Sequence, residues 1–192
     1  MITCSSPWFR VSVLLLVEVA FVLLASRVAV GNPNATTREG ALLTIARIDD
    51  LTKWMAALET AVLGGLGYLV FGTETPLILR ITLTQRMILT VAGINIGIAL
   101  LTSGWIFTSL GSIGVRLHGL PPNPVQSAEY DVAEWPIYSS RRQWKAYKLG
   151  YLITCKHWFW GLGLAAVAVF IVALLYHPPL PPEPRSLRLT FQ

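Results

Sequence analysis

Three polar side chains interrupt long apolar stretches of this sequence, and they are the groups best placed to do chemistry there. Glu18 and Asn95 lie near the middle of their stretches, and Glu59 lies about one turn inside another. A carboxylate in hydrocarbon costs several kcal/mol unless it is paired, protonated or in contact with water. The three residues therefore predict either the handling of protons or ions, or hydrogen bonds between helices.

We favour hydrogen bonds between helices for Glu18 and Asn95. No second acid lies one or two turns from Glu18 in its own stretch, whereas a proton relay uses a chain of such groups. An amide such as Asn95 gains about 1 kcal/mol from a hydrogen bond to a neighbouring helix in a membrane. We expect Glu59, which lies nearer the end of its stretch, to contact water or to pair with Lys53 or Arg86.

Basic and aromatic residues alternate just before the last apolar stretch and at its start. The set comprises Arg141, Arg142, Trp144, Lys145, Lys148, Lys156 and Trp158. Tryptophan concentrates where membrane meets water, and a lysine stem can lie along apolar surface while its ammonium reaches the headgroups. The pattern therefore predicts a membrane interface that contacts anionic lipid. A more specific ligand or partner site is the alternative, and the adjoining apolar stretch argues against nucleic acid.

The motifs of several membrane enzymes are missing from the sequence. It has no C-x-x-C pair, and only His157 of its three histidines lies in or near an apolar stretch, which argues against thiol–disulfide and haem chemistry. The motifs H-E-x-x-H, G-x-x-x-x-G-K-[ST] and G-x-S-x-G are absent as well. We therefore predict no catalytic residue, no metal site and no cofactor.

Small residues recur every four positions in three of the apolar stretches. They are Ala57, Ala61 and Gly65 in the second stretch, Gly93 and Gly97 in the third, and Gly161 and Ala165 in the fourth. Such spacing lets helix backbones approach closely, which is a main source of attraction between helices in lipid. The stripes predict helix packing, either within this chain or with another chain.

Four apolar stretches must position these residues. They cover 11–30, 54–72, 87–110 and 157–176, and charged residues make up only 13% of the chain, against roughly a quarter in a soluble domain. About 20 helical residues match a hydrocarbon core of about 30 Å. We therefore predict an all-α, polytopic membrane protein with four transmembrane helices. The first stretch resembles a cleaved signal peptide in part, but its length and Glu18 favour a retained helix.

The joints between the apolar stretches differ in character. In 31–53, Thr36 and Glu39 have the spacing of a capping box, and the apolar residues that follow predict an amphipathic helix. That helix either lies on the membrane or extends the second stretch outside it. The segment 116–156 predicts a proline-rich loop followed by a basic, aromatic interfacial helix, and 177–192 predicts an extended tail.

Lysine and arginine favour one side of this arrangement. Ten of the 15 such residues lie in or beside the first and third joints, and five lie on the other side. The positive-inside rule then places both large joints in the cytoplasm and both termini outside it.

The function predicted from these patterns is that of a non-enzymatic accessory, assembly or scaffold subunit, acting as a homo-oligomer or with other membrane proteins. One alternative is an oligomeric transporter or pore that uses Glu18, Asn95 and Glu59. Another is an enzyme that acts on lipids with loop acids and His118. A shared wet cavity around the polar residues favours transport, and dry helix contacts favour the packing role.

Overall fold

A computed structural model of the protein describes residues 7–28, 37–72, 76–119, 131–139 and 142–179. Most of these residues are helical. The helices are α1 (Pro7–Val28), α2 (Arg38–Phe71), α3 (Leu77–Arg80), α4 (Leu83–His118) and α5 (Leu149–Tyr176). Helices α2, α4 and α5 are long and apolar enough to cross a membrane, and α1 has a shorter apolar stretch, Val11–Leu24. The helical architecture is thus confirmed, with three helices of membrane-spanning length and composition.

Helix α2 joins the predicted amphipathic segment to the second apolar stretch without a break. Its 34 residues span about 51 Å, well beyond the hydrocarbon thickness of about 30 Å. The helix begins at Arg38, and the hydroxyl of Thr37 caps it by accepting a hydrogen bond from the backbone N–H of Gly40 at 3.1 Å. The predicted cap at Thr36 is therefore wrong by one residue, and Thr36 itself lies outside the described residues.

Helix α4 is the centre of the bundle and packs on α5, on α2 and on α1. A capping box starts it, because Thr82 accepts from the N–H of Gln85 at 3.3 Å and the Gln85 side-chain oxygen accepts from the N–H of Thr82 at 2.8 Å. The Gln85 amide nitrogen also donates to the carbonyls of Ala173 and His177, each at 2.9 Å. One side chain thus ties the start of α4 to the end of α5.

Two apolar clusters fix the directions of the helices. At one end, Ala41 of α2 packs with Leu117 of α4 and Leu149 of α5. We call this the hairpin end, because the pair of strands described in the next paragraph leads into Leu149. At the opposite end, Val70 packs with Leu89 and Phe170. Helices α2 and α5 therefore begin where α4 ends, so both run antiparallel to α4.

The segment that leads into α5 differs from its prediction. Residues Arg142–Lys148 form strand β2, which pairs in antiparallel fashion with β1 (Pro136–Ser139), and a 3-10 turn at Val132–Glu134 precedes the pair. The predicted interfacial helix before the last stretch is therefore wrong, because α5 begins only at Leu149. Apolar Trp144 and Ala146 alternate with their polar neighbours over this segment, which is the period of a strand.

Candidate functional site

An acid and a base from two helices meet inside the bundle. Glu59 of α2 and Lys156 of α5 are buried, with 0% and 1% of their surfaces exposed, and the Lys156 Nζ lies 3.7 Å from the Glu59 Oε1. Lys156 lies two turns into α5, on the face that also buries Leu152 and Phe159. The geometry is that of an ion pair shielded from solvent by three helices.

This pair overturns two predictions. Lys156 does not reach lipid headgroups, because α5 starts early enough to carry this position into the bundle. Glu59 does not contact water and does not pair with Lys53 or Arg86. Lys53 instead makes an exposed pair with Asp49 one turn away, at 2.5 Å.

Ser103 of α4 completes the cluster around the acid. Its hydroxyl lies 2.9 Å from the Glu59 Oε2, to which it donates, and 3.1 Å from the carbonyl oxygen of Ala99. Among the described residues, neither the Glu59 Oε1 nor the Lys156 Nζ has a partner within hydrogen-bond distance. The attraction between the two charges therefore stabilises the pair, and the cluster links α2, α4 and α5.

A second polar contact joins α1 to α4. Asn95 is 1% exposed, and its amide nitrogen donates to the Oε2 of Glu18 at 3.1 Å and to the carbonyl of Val91 at 3.0 Å. This is the hydrogen bond between helices that the sequence predicted for both residues. The Asn95 Oδ1 is buried and has no hydrogen-bond partner among the described residues. The contact therefore has more acceptor atoms than donors.

An apolar groove lies beside this contact. Its volume is about 660 Å³, and its walls are parts of α1, α4 and α5, with Glu18 among the lining residues. Glu18 therefore takes part in a contact between helices and also lines this cavity.

The predicted small-residue stripes do not lie in close contacts between the described helices. Ala57, Ala61 and Gly65 are exposed on α2, as are Gly161 and Ala165 on α5. A Cβ atom added at Gly65, Gly93, Gly97 or Gly161 would meet nothing within 4 Å. The stripes predicted helix packing, and because the described helices leave these positions open, packing against another chain stays the prediction.

The close approach of α4 and α5 occurs at a glycine that the stripes missed. A Cβ atom on Gly163 would lie 2.6 Å from the Ile96 side chain and 3.2 Å from the Ile96 backbone nitrogen. Two residues along a helix correspond to a rotation of about 200°, so Gly161 and Ala165 point away from this contact. Gly163 lies four residues after Phe159, so the two residues share the buried face of α5. That spacing is the sequence signal that could have identified Gly163 as a contact position.

The other described residues of the predicted basic and aromatic set lie on β2 and on α5. Lys148 is exposed and pairs with Glu134. Trp158 is 40% exposed and packs edge-to-face on Phe21 of α1 at 5.5 Å between ring centres. Arg142, Trp144 and Lys145 belong to β2, and Arg141 lies outside the described residues.

Comparison of the chain with protein-family models, curated proteins and solved structures found no match. Within the described ranges, no three side chains of His, Cys, Asp or Glu come together in a way that could hold a metal ion. The function must therefore be argued from the geometry of the bundle.

Proposed function

We propose that this chain is a non-enzymatic, multi-pass integral membrane protein that acts as an accessory, assembly or scaffold subunit. It acts by packing its helices against copies of itself or against other membrane proteins. The observation that carries the proposal is the contrast between the two sides of the helices. Buried polar side chains contact each other in the interior of the helix bundle, whereas large apolar side chains cover its outer surface.

The outer surface supports the membrane part of the proposal. Leu16 on α1, Leu101 on α4 and Leu175 on α5 are 69%, 77% and 77% exposed, and Phe71 on α2 is 70% exposed. Apolar faces of this extent on four helices would be an aggregation hazard in water and are ordinary in lipid. At 22 residues, about 33 Å, α1 is long enough to be the fourth span.

The order of the helices supports the proposed topology. Val22 of α1 packs near Ala99 and Cys155, while the groove brings the first half of α1 beside the start of α4. With four spans, the joints 29–37 and 119–148 lie at the hairpin end, and both termini lie at the other. The excess of basic residues in and beside those joints favours a cytoplasmic hairpin end.

Two of the three predicted polar residues support packing rather than conduction. Glu59 and Asn95 are buried in contacts between helices, and each has a polar partner on another helix. Charged residues in transport paths instead face water-filled cavities. The exposed Ala57, Ala61 and Gly65 leave a shallow face on α2 where another helix can approach closely.

The test is to cross-link the protein gently in its native membrane, purify it in mild detergent and weigh what accompanies it. We expect a complex of defined stoichiometry that Ala61→Leu weakens, because the added side chain fills the open face of α2. The matched control is Ala168→Leu, at an exposed position of α5 outside the small-residue stripes, which we expect to leave the complex intact.

Two outcomes contradict the proposal. Release of the protein from membranes by alkaline carbonate would show that it is not integral. A homo-oligomer that carries ions into liposomes, with a flux that Glu18→Gln abolishes, would show that the chain is a transporter.

A further inference from the structure

The groove beside Glu18 is apolar along almost its whole length. Residues within 11–18 of α1, 83–91 of α4 and 162–169 of α5 line it, and Glu18 and Thr84 are its polar lining residues. From Leu83 to Val91, α4 rises about 12 Å, which gives the length of the groove. The volume of about 660 Å³ is in the range of small-molecule sites, which are mostly apolar with a few polar groups that fix orientation.

The polar end of the groove lacks hydrogen-bond donors. The Asn95 amide nitrogen uses its two N–H groups on Glu18 and on the carbonyl of Val91. The Asn95 Oδ1 likewise has no donor among the described residues, although Asn95 itself does not line the groove. Glu18 itself is only partly buried and lines the groove. The complement of such an acidic, acceptor-rich end is a cation that carries N–H groups.

We propose that this groove binds a lipophilic amine, with its ammonium group at the Glu18 carboxylate and its apolar body between α1, α4 and α5. The charge on the ligand compensates the carboxylate, and the ammonium donates hydrogen bonds to the Glu18 oxygen atoms. The apolar body replaces the lipid that would otherwise fill the groove. This proposal goes beyond the packing role and does not depend on it.

The charge of Glu18 favours an amine over an apolar partner helix, because apolar side chains would leave the carboxylate in the groove without a counter-charge. The position of Glu18 argues against a lipid headgroup. It lies near the middle of α1, about 15 Å from either helix end, and headgroups remain at the ends of a spanning helix.

The test uses three rigid molecules of nearly the same shape that differ in charge: 1-aminoadamantane, 1-adamantanol and adamantane-1-carboxylate. Binding of the tritiated amine is measured on the full chain in nanodiscs, with empty nanodiscs as background. We expect saturable binding of one amine per chain. The alcohol should compete at least tenfold more weakly than the unlabelled amine, and the carboxylate should not compete.

Variants separate the charge from the shape of the site. Glu18→Gln should weaken binding at least tenfold, and Glu18→Asp, which keeps the charge, should retain the preference for amine over carboxylate. Ala166→Trp should abolish binding by filling the groove while Glu18 remains. The matched control is Ala168→Trp, because Ala168 is exposed on α5 and does not line the groove.

Two results would overturn the ligand site. Equal competition by the three molecules would show that the groove takes any apolar body and that Glu18 plays no part. Unchanged binding in Ala166→Trp would place the amine elsewhere. Since the measurement uses the isolated chain, it succeeds or fails whether or not the chain forms the complex proposed above.

Discussion

Replacing Lys156 with methionine keeps most of the side-chain volume and removes the charge that faces Glu59. The acid then remains fully buried, with the Ser103 hydroxyl as its hydrogen-bond donor. At 3.7 Å and an effective dielectric constant of about 20, the lost attraction is about 4 to 5 kcal/mol. Breaking one side of a buried ion pair costs about 3–5 kcal/mol in soluble proteins. We therefore expect Lys156→Met to lower the free energy of unfolding by about 3–5 kcal/mol.

The second half of the experiment removes both charges. We expect the double variant Glu59→Gln with Lys156→Met to recover most of the loss, to within about 1 kcal/mol of the unchanged protein. The recovery follows because the amide oxygen of the new side chain can still accept from Ser103 and no charge is left buried. The coupling energy of the double-mutant cycle should then be several kcal/mol.

The assay is unfolding in mixed micelles by titration with a denaturing detergent, followed by the circular dichroism of the helices. The matched control is Lys53→Met, which removes the exposed partner of Asp49 on α2. It should leave the midpoint of the unfolding transition unchanged. A coupling energy near zero between Glu59 and Lys156 would refute the reasoning, because it would mean that water already screens both charges.

Three further predictions follow from the contacts of α4. Gly163→Leu should disrupt the packing of α4 on α5 and lower the unfolding midpoint strongly, whereas Gly161→Leu on the open face of α5 should not, as the same titration will show. Gln85→Ala should lower the free energy of unfolding by about 2 kcal/mol by removing a cap and two donated hydrogen bonds. Gln85→Glu should lower it at least as much, because the carboxylate keeps the cap but turns an oxygen, with no N–H to donate, towards two carbonyl oxygens. Asn95→Leu should lower the free energy of unfolding by about 1 kcal/mol. A double-mutant cycle with Glu18→Gln should attribute most of that loss to the hydrogen bond between the two residues.

The four long helices could be predicted because each contains a long apolar run, a signal that needs no knowledge of neighbours. That Asn95 and Glu18 each need a partner on another helix could be predicted for a similar reason, since a polar group in an apolar helix requires a partner, but their bond to each other could not. The strand at Arg142–Lys148 could not, because its basic and aromatic residues fit an interfacial helix as well as a strand. Its pairing with Pro136–Ser139 decides between the two.

Partner choice was less predictable than the need for a partner. Lys53 and Arg86 are nearer to Glu59 in sequence than Lys156 is, but the antiparallel packing of α4 and α5 brings Lys156 alongside. The groove beside Glu18 has no sequence signal at all. It is a gap between three helices, and its existence depends on how closely their backbones approach.

The ion pair between α2 and α5 also has a consequence for the order of synthesis. Glu59 leaves the ribosome about 100 residues before Lys156, an interval of about 5–20 s at the usual rates of translation. During that interval, α2 has an acid for which the nascent chain has not yet supplied the base. The early chain must therefore keep Glu59 in water, protonated or in contact with an insertion factor, and the arrival of α5 allows α2 to reach its final position.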